Sequence, residues 1–317
     1  MTPHFKSIAV VGAGAVGSFF GAMLARAGHR VTLIGRAPHV QAIEREGLQL
    51  EWTDSVETVR LAASTELAAL RGAGLVLVCV KSTDTDAVAR QIAPLLDADA
   101  LVLSLQNGVE NASTLAAHLG QTVVPTVVYV ATALPQPGRV KHHGRGDLVI
   151  GPLNEHAALD PAVRAQLAGV ASTFADAQVP VRVSDDVMAE LWSKLMVNCA
   201  YNAISAIAQA PYGQLAAEAG IVELQCGVVR EVVALAAAEG IALDLDASLA
   251  AMHAIAPAMP AQLSSTAQDI ARRKPGEIDH LNGFVARRAR ELGLSAPFNQ
   301  TLHALVKLIE AGHVGQR

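Results

Sequence analysis

The sequence predicts an α/β protein in two parts: a doubly wound, largely parallel sheet over residues 1–185 and an all-helical domain over residues 186–317. Three observations predict it. Residues 7–36 read as strand, glycine turn, helix and strand. Continuous apolar runs at Leu75–Val80 and Leu101–Leu105 alternate with helical stretches, the signature of strands buried on both faces. After Ser184 the β signal disappears, and Ala-rich helical stretches carry the chain to its end.

The first unit is SIAVVGAGAVGSFFGAMLARAGHRVTLIGR. The run Ile8–Val11 is a buried strand, Phe19–Ala27 is an amphipathic helix closed by Gly28, and Val31–Ile34 is the second strand. Between the first strand and the helix lies Gly12-Ala13-Gly14-Ala15-Val16-Gly17, a G-x-G-x-x-G turn in the context that gives this motif meaning. The first glycine permits the tight turn, the second lets the backbone approach a pyrophosphate, and the third lets helix and strand pack closely. The helix N-terminus supplies free N–H groups and the positive end of its dipole to the phosphates. A Rossmann-type dinucleotide site follows. At the end of the second strand, where an acid would bind a ribose 2′-hydroxyl, stands Gly35-Arg36, with no acid before Glu44. An arginine there suits a 2′-phosphate, so the expected cofactor is NADPH rather than NADH.

Further along, Pro38–Glu46 reads as a helix and Leu48–Ala63 as a small hairpin or added strand pair. The strand Leu75–Val80 ends in Lys81-Ser-Thr-Asp84, before a helix over 85–96. The strand Leu101–Leu105 ends in Gln106-Asn107-Gly108, before a helix over 111–119. Ligands of such sheets bind outside the carboxyl ends of the strands, which puts the glycine turn, Lys81 and Asn107 on one rim. Two β-rich stretches flanking Pro135–Gly138 predict an antiparallel extension. Asp160-Pro161 starts a helix, with Asp as N-cap and Pro in the first turn, and Val179–Val183 is a last strand.

In the second part, Lys194, Asn198 and Asn202 recur at i, i+4 and i+8 among apolar neighbours, along one face of a helix. Buried polar groups need partners, so the row faces an interhelical network, solvent or a bound molecule. A partly desolvated lysine is a suitable acid near neutral pH, the counterpart that hydride delivery to a carbonyl carbon requires. The polar stretch Ser264–Gly283 lies between apolar helical segments, with a break at Pro275-Gly276 and Glu277 opening the next helix. Taken alone, Glu277 and Asp279 read first as helix caps.

Composition narrows the function. Hydrophobic residues make up 51% and aromatics 3%, so Ala, Val, Leu and Ile must build the core. A net charge of −5 gives nucleic-acid binding no electrostatic support. Cys79, Cys199 and Cys226 lack metal-ligand spacing and read as buried thiols of a reducing compartment. The first strand begins within ten residues of Met1, which leaves no room for a signal peptide, and no uninterrupted apolar run reaches the ~18 residues of a membrane span. The expected protein is cytoplasmic, without metal, membrane or nucleic-acid partner. Its Ala-rich helices suit a homodimer surface and internal packing equally.

Together these segments resemble the ketopantoate reductase (2-dehydropantoate 2-reductase) family over nearly the whole length. The resemblance is carried by GAGAVGSFFGAMLARAGHRVTLIGR, Cys79-Val-Lys81, Leu105-Gln-Asn107-Gly108, Lys194-x-x-x-Asn198-x-x-x-Asn202 and SSTAQDIARRKPGEIDHLNG. It implies an NADPH-dependent reduction of the C2 ketone of ketopantoate to pantoate, on the route to pantothenate and coenzyme A, in a cleft between the two domains. It also implies roles: Lys194 as general acid; Glu277 as the carboxylate supporting Lys194 or binding the substrate hydroxyl; Asn198, Asn202 and Ser265 as holders of hydroxyl and carboxylate. Asn107 would position substrate and nicotinamide, Lys81 would lie near the cofactor, and Arg36 would take the 2′-phosphate. Two positions depart from the pattern: Gln262 where an asparagine often sits, and Tyr212 in Pro-Tyr-Gly where Pro-Asn-Gly is common. They motivate a second reading, the same chemistry on a bulkier 2-keto acid. A third is an NADP(H)-binding sensor without turnover, against which the joint presence of Lys194, Asn198, Asn202 and Glu277 argues.

Overall fold

The structure is a computed structural model and describes residues 5–314. The chain divides into two compact units between Val187 and Met188.

In the first unit the strands are β1 (Ser7–Val11), β2 (Arg30–Ile34), β3 (Leu48–Glu51), β4 (Val56–Val59), β5 (Ala62–Ser64), β6 (Leu75–Val78), β7 (Leu101–Ser104), β8 (Val123–Gln136), β9 (Arg139–Ile150) and β10 (Val181–Val183). The helices are α1 (Ala15–Arg26), α2 (Ala37–Glu46), α3 (Thr85–Ile92), α4 (Asn111–His118), α5 (Glu155–Leu159) and α6 (Pro161–Asp176). One sheet runs β4-β3-β9-β8-β7-β6-β1-β2-β5, with β10 also paired to β9. From β5 to β8 every neighbour is parallel, as the alternation of apolar runs and helices predicts. Residues of alternating parity on β1, β6 and β7 feed two separate cores. Ile8, Val10, Leu75, Leu77, Leu101 and Leu103 point to one side of the sheet. Ala9, Val11, Val76, Val78 and Val102 point to the other. Burial on both faces is why these strands read as unbroken apolar runs. The β8–β9 pair is the expected antiparallel extension, with the β3–β4 hairpin parallel-paired to β9 at its outer edge.

Two expectations are corrected. The helix predicted over 85–96 ends at Ile92 and tightens to a 3-10 turn, because Pro94 cannot supply the next N–H. The last strand starts at Val181 rather than Val179; Pro180 lacks a donor and contributes only its carbonyl, which accepts from Leu148 N at 2.9 Å.

The second unit is helical: α7 (Val187–Ala208), α8 (Tyr212–Ala216), α9 (Ala219–Ala238), α10 (Leu245–Ala258), α11 (Ser265–Ala271), α12 (Asn282–Glu291) and α13 (Pro297–Val314). Three successive residues of α7 are tied to three other helices. Asn282 Nδ2 donates to the Cys199 carbonyl at 3.0 Å, Gln225 Nε2 to that of Ala200 at 3.2 Å, and Tyr201 Oη to that of Met252 at 3.0 Å. Trp192 of α7 meets Phe284 of α12 edge-on, with ring centroids 5.7 Å apart. Among the described residues no helix is long and apolar enough to cross a membrane.

Candidate functional site

The two units carry separate groups of candidate residues. In the first, strand order reverses between β1 and β6: the chain leaves β1 toward β2 on one side and returns as β6 on the other. The glycine turn occupies this switch point. Gly12 has φ +104°, and a Cβ there would stand 2.6 Å from Val80 N and 2.7 Å from the Cys79 carbonyl carbon. A Cβ on Gly17 would collide with the Gly12 carbonyl oxygen and come within 3.1 Å of Cys79 Cβ. Gly14 is the opposite case. It is the N-cap of α1, and a Cβ on it would meet nothing within 4 Å. Two of the glycines thus close the turn onto the sheet, and the third opens it outward.

Gly12 N and Ala13 N both donate to the Ile34 carbonyl at 3.0 Å, which binds the turn to the end of β2. The first turn of α1, Ala15, Val16 and Gly17, has no intrahelical acceptor for its N–H groups, and no acidic residue lies within it. Such a terminus favours an anion. Arg36 stands two residues after the end of β2 as the exposed N-cap of α2, so its cation stands on the same rim as the turn. These residues fit a dinucleotide: an open glycine edge for the pyrophosphate and a cation at the strand end that meets the ribose.

The loops after β6 and β7 carry Lys81 and Asn107, and a polar network that sequence reasoning missed fixes both. Gln106 Nε2 donates to the Val80 carbonyl at 3.1 Å and to Thr85 Oγ1 at 2.7 Å. Thr85 Oγ1 donates to Asn111 Oδ1 at 2.7 Å, while Asn111 Nδ2 donates to Ser82 Oγ at 3.1 Å and to the Asn107 carbonyl at 2.6 Å. Ser82 Oγ donates to the same carbonyl at 3.0 Å. Ser82, Thr85, Gln106 and Asn111 are all buried, and each satisfies another. The available signal was their type: polar residues directly after two strands that are buried on both faces.

In the second unit α7 carries Lys194, Asn198 and Asn202 at the predicted spacing. Lys194 and Asn198 are half-buried, whereas Asn202 is only 3% exposed. Asn202 belongs to a closed cluster. Its Oδ1 lies 3.5 Å from Tyr212 Oη, and its carbonyl accepts from Ser264 Oγ at 3.1 Å. Tyr212 N donates to the Gln262 carbonyl at 3.0 Å, so the two positions that depart from the family pattern are hydrogen-bonded neighbours. Burial pushes the Tyr212 hydroxyl well above the usual phenol range, with the nearby Tyr201 adding to it; Tyr212 is a donor at neutral pH. Ser265 is exposed at the start of α11, while Ser264 is buried as its N-cap.

Glu277 does not open an α-helix, as the sequence predicted. It precedes a 3-10 turn over Ile278–His280, and α12 starts only at Asn282. Nor is Asp279 a cap: its Oδ1 accepts from His303 Nε2 at 2.6 Å and its Oδ2 from Lys307 Nζ at 2.9 Å, both on α13. Burial works against the ionised form, but these two donors outweigh it and hold the Asp279 carboxyl below its ordinary range. Burial pushes the Cys79 and Cys199 thiols far up, so neither is a thiolate nucleophile.

A glycine turn at the switch point of a parallel sheet is the arrangement of a dinucleotide-binding α/β protein. Family models for ketopantoate reductase PanE/ApbA and for its C-terminal domain match residues 8–155 and 186–310. A 2-dehydropantoate 2-reductase from Halobacterium salinarum is 33% identical, covering 96% of this chain and 98% of the relative. One from Vibrio cholerae is 31% identical, covering 96% and 98%. The crystal structure of a PanE/ApbA family ketopantoate reductase from Ralstonia eutropha JMP134 is 52% identical with a TM-score of 0.89, covering 97% and 99% of the two chains. A ternary structure of D-mandelate dehydrogenase with NADH and anilino(oxo)acetate is 26% identical with a TM-score of 0.88, again over 97% and 99%. The chain belongs to the ketopantoate reductase family, whose curated relatives are oxidoreductases acting on a CH–OH group.

Proposed function

We propose that this protein reduces 2-dehydropantoate to pantoate with NADPH, in pantothenate and coenzyme A biosynthesis. The observation that carries the reading is the match of both halves to the family's two models. The glycine turn and the α7 row then belong to one reaction. In this reading residues 1–185 bind the cofactor and residues 186–317 the substrate. The N–H groups of Ala15 and Val16 take the pyrophosphate beside Gly12, Gly14 and Gly17, and Arg36 takes the 2′-phosphate. Lys81 lies by the cofactor and Asn107 orients nicotinamide and substrate. A nicotinamide bound there would supply hydride to the C2 carbon. Lys194 Nζ gives its proton to the ketone oxygen as that oxygen gains charge. Asn198, Asn202 and Ser265 hold the substrate's polar groups, and Glu277 supports Lys194 or binds the substrate hydroxyl. The reading includes a cytoplasmic setting, which three unpaired cysteines suit, and a homodimer, to be checked by light scattering.

One observation favours a second reading, a bulkier 2-keto acid. Tyr212 stands beside Asn202 and hydrogen-bonds toward the amide that would otherwise face a substrate hydroxyl. A panel of 2-dehydropantoate, 2-oxoisovalerate and phenylglyoxylate, assayed with NADPH and with NADH by loss of the reduced-nicotinamide absorbance, decides. The proposal expects the highest kcat/KM with 2-dehydropantoate and NADPH. A preference for phenylglyoxylate selects the second reading; tight NADPH binding without oxidation by any acid selects a sensor.

A further inference from the structure

Glu277 sits in the least regular part of the second unit. Between the end of α11 at Ala271 and the start of α12 at Asn282, the chain forms only the 3-10 turn Ile278–His280. The turn's own bonds, His280 N to the Glu277 carbonyl at 2.9 Å and Leu281 N to that of Ile278 at 3.2 Å, shape it but do not anchor it. The backbone on either side of the Glu277 carboxylate is therefore placed by contacts with other elements.

Helix α13 supplies these contacts on both sides of Glu277. One residue before, Gly276 N donates to Glu310 Oε1 at 2.8 Å. Two residues after, Asp279 accepts from His303 Nε2 at 2.6 Å and from Lys307 Nζ at 2.9 Å. Lys307 Nζ also meets Glu310 Oε2 at 2.9 Å, which joins the two grips into one chain of alternating charge. His303, Lys307 and Glu310 fall at i, i+4 and i+7, one face of the helix. The ring of His303 packs against the start of α12, where a Cβ on Gly283 would lie 2.8 Å from it. Hydrogen bonds from Lys307, first to Glu310 and then to Asp279, raise its own basicity and keep the central cation in place.

We propose that Glu310, Lys307 and His303 are positioning residues that set the place of the Glu277 carboxylate by gripping Gly276 and Asp279. The inference rests on the reading of Glu277 as an active-site carboxylate. It is separable from general stability because α13 is anchored independently at its other end. There Glu231 accepts from Phe298 N at 2.8 Å and from Asn299 N at 2.9 Å, and Asn282 Nδ2 donates to Asn299 Oδ1 at 2.9 Å. Loss of the grip therefore removes the α13 contacts on either side of Glu277, while Ile278 stays buried and the helix stays docked.

The test is steady-state kinetics of the full chain with NADPH and 2-dehydropantoate, or phenylglyoxylate if the panel selects it, on E277Q, E310A, E310Q, K307M and E277Q/E310A. The expected result is a kcat for E310A lower by roughly 10- to 100-fold, the scale of a misplaced active-site group. KM for NADPH and Tm stay close to wild type. E310Q keeps an Oε1 acceptor for Gly276 N and recovers most of the rate. The double variant is no slower than E277Q alone, since Glu310 acts through Glu277. A wild-type kcat in E310A beside an impaired E277Q overturns the clamp, as does a double variant whose losses multiply. A wild-type kcat in E277Q overturns the reading of Glu277 itself, and the clamp with it. If E310A does not fold, K307M decides: a reduced kcat supports the clamp and a wild-type kcat overturns it.

Discussion

The glycine turn of the first unit and the polar row of the second are built on opposite principles. The turn is made of backbone. Gly12 and Gly17 lie so close to Val80, Cys79 and each other that any side chain would displace main-chain atoms, and Gly14 faces open space. The row on α7 is made of side chains whose setting comes from elsewhere: Gln225, Met252 and Asn282 hold residues 199–201, and Tyr212 and Ser264 close over Asn202. A backbone site is specified by local sterics and tolerates change only where space is open. A side-chain site depends on distant segments, and its chemistry can shift while its helix stays the same.

The largest effect should come from the side-chain site. Lys194→Ala should lower kcat by about two to four orders of magnitude, the range for a positioned acid, with NADPH binding unchanged. A near wild-type kcat removes Lys194 from its assigned role. The backbone site should show the contrast between its own glycines. Gly12→Ala combines a positive φ with a backbone clash and should cost about 2–4 kcal/mol of stability, read by denaturant titration. Gly14→Ala should fold as wild type, because nothing opposes its Cβ, yet bind NADPH more weakly, read by fluorescence titration. Equal losses of stability in the two variants would break the comparison.

Arg36→Ala sharpens it further, as a side chain added to a backbone site. Loss of a charge-assisted contact to a 2′-phosphate, worth about 1.5–3 kcal/mol, should raise KM for NADPH roughly 10- to 100-fold and leave KM for NADH unchanged. An equal rise for both would assign Arg36 elsewhere. The smallest effect concerns His39 of α2, which links α1 to the β8–β9 turn: Ser18 Oγ lies 3.0 Å from its Nε2, and Gly138 N donates to its Nδ1 at 2.9 Å. Burial holds its pKa below the ordinary 6.5. Below about pH 6.5 the unfolded imidazole takes a proton that the folded one resists, so stability falls on acidification and is fully present above that pH. His39→Gln, which keeps an acceptor for Gly138 N but cannot titrate, should lose less Tm than wild type between pH 7 and 5.

What could be read in the sequence follows the same divide. The βαβ unit, the parallel strands and the helical second half were legible because each rests on a local pattern: an apolar run, a period of 3.6, a glycine spacing. Apart from element ends set locally by Pro94 and Pro180, misreadings fell where a distant partner decides. Asp279 looked like a helix cap, and only α13, carrying His303 and Lys307, makes it an anchor. Ser264, Gln106, Thr85 and Asn111 were not singled out, because their partners lie on other strands and helices. Tyr212 and Gln262 depart from the family pattern, but nothing in the chain order says that they touch.

The sequence by itself determined the two-part α/β architecture, the glycine turn and the row of one amine and two amides, because sterics and helical periodicity act over a few residues. Tertiary structure alone decided which polar groups are buried, which of them satisfy one another, and what grips the backbone on either side of Glu277. A buried hydrogen bond needs two partners in register, and the chain brings residues 276 and 310, or 202 and 264, together only when it folds.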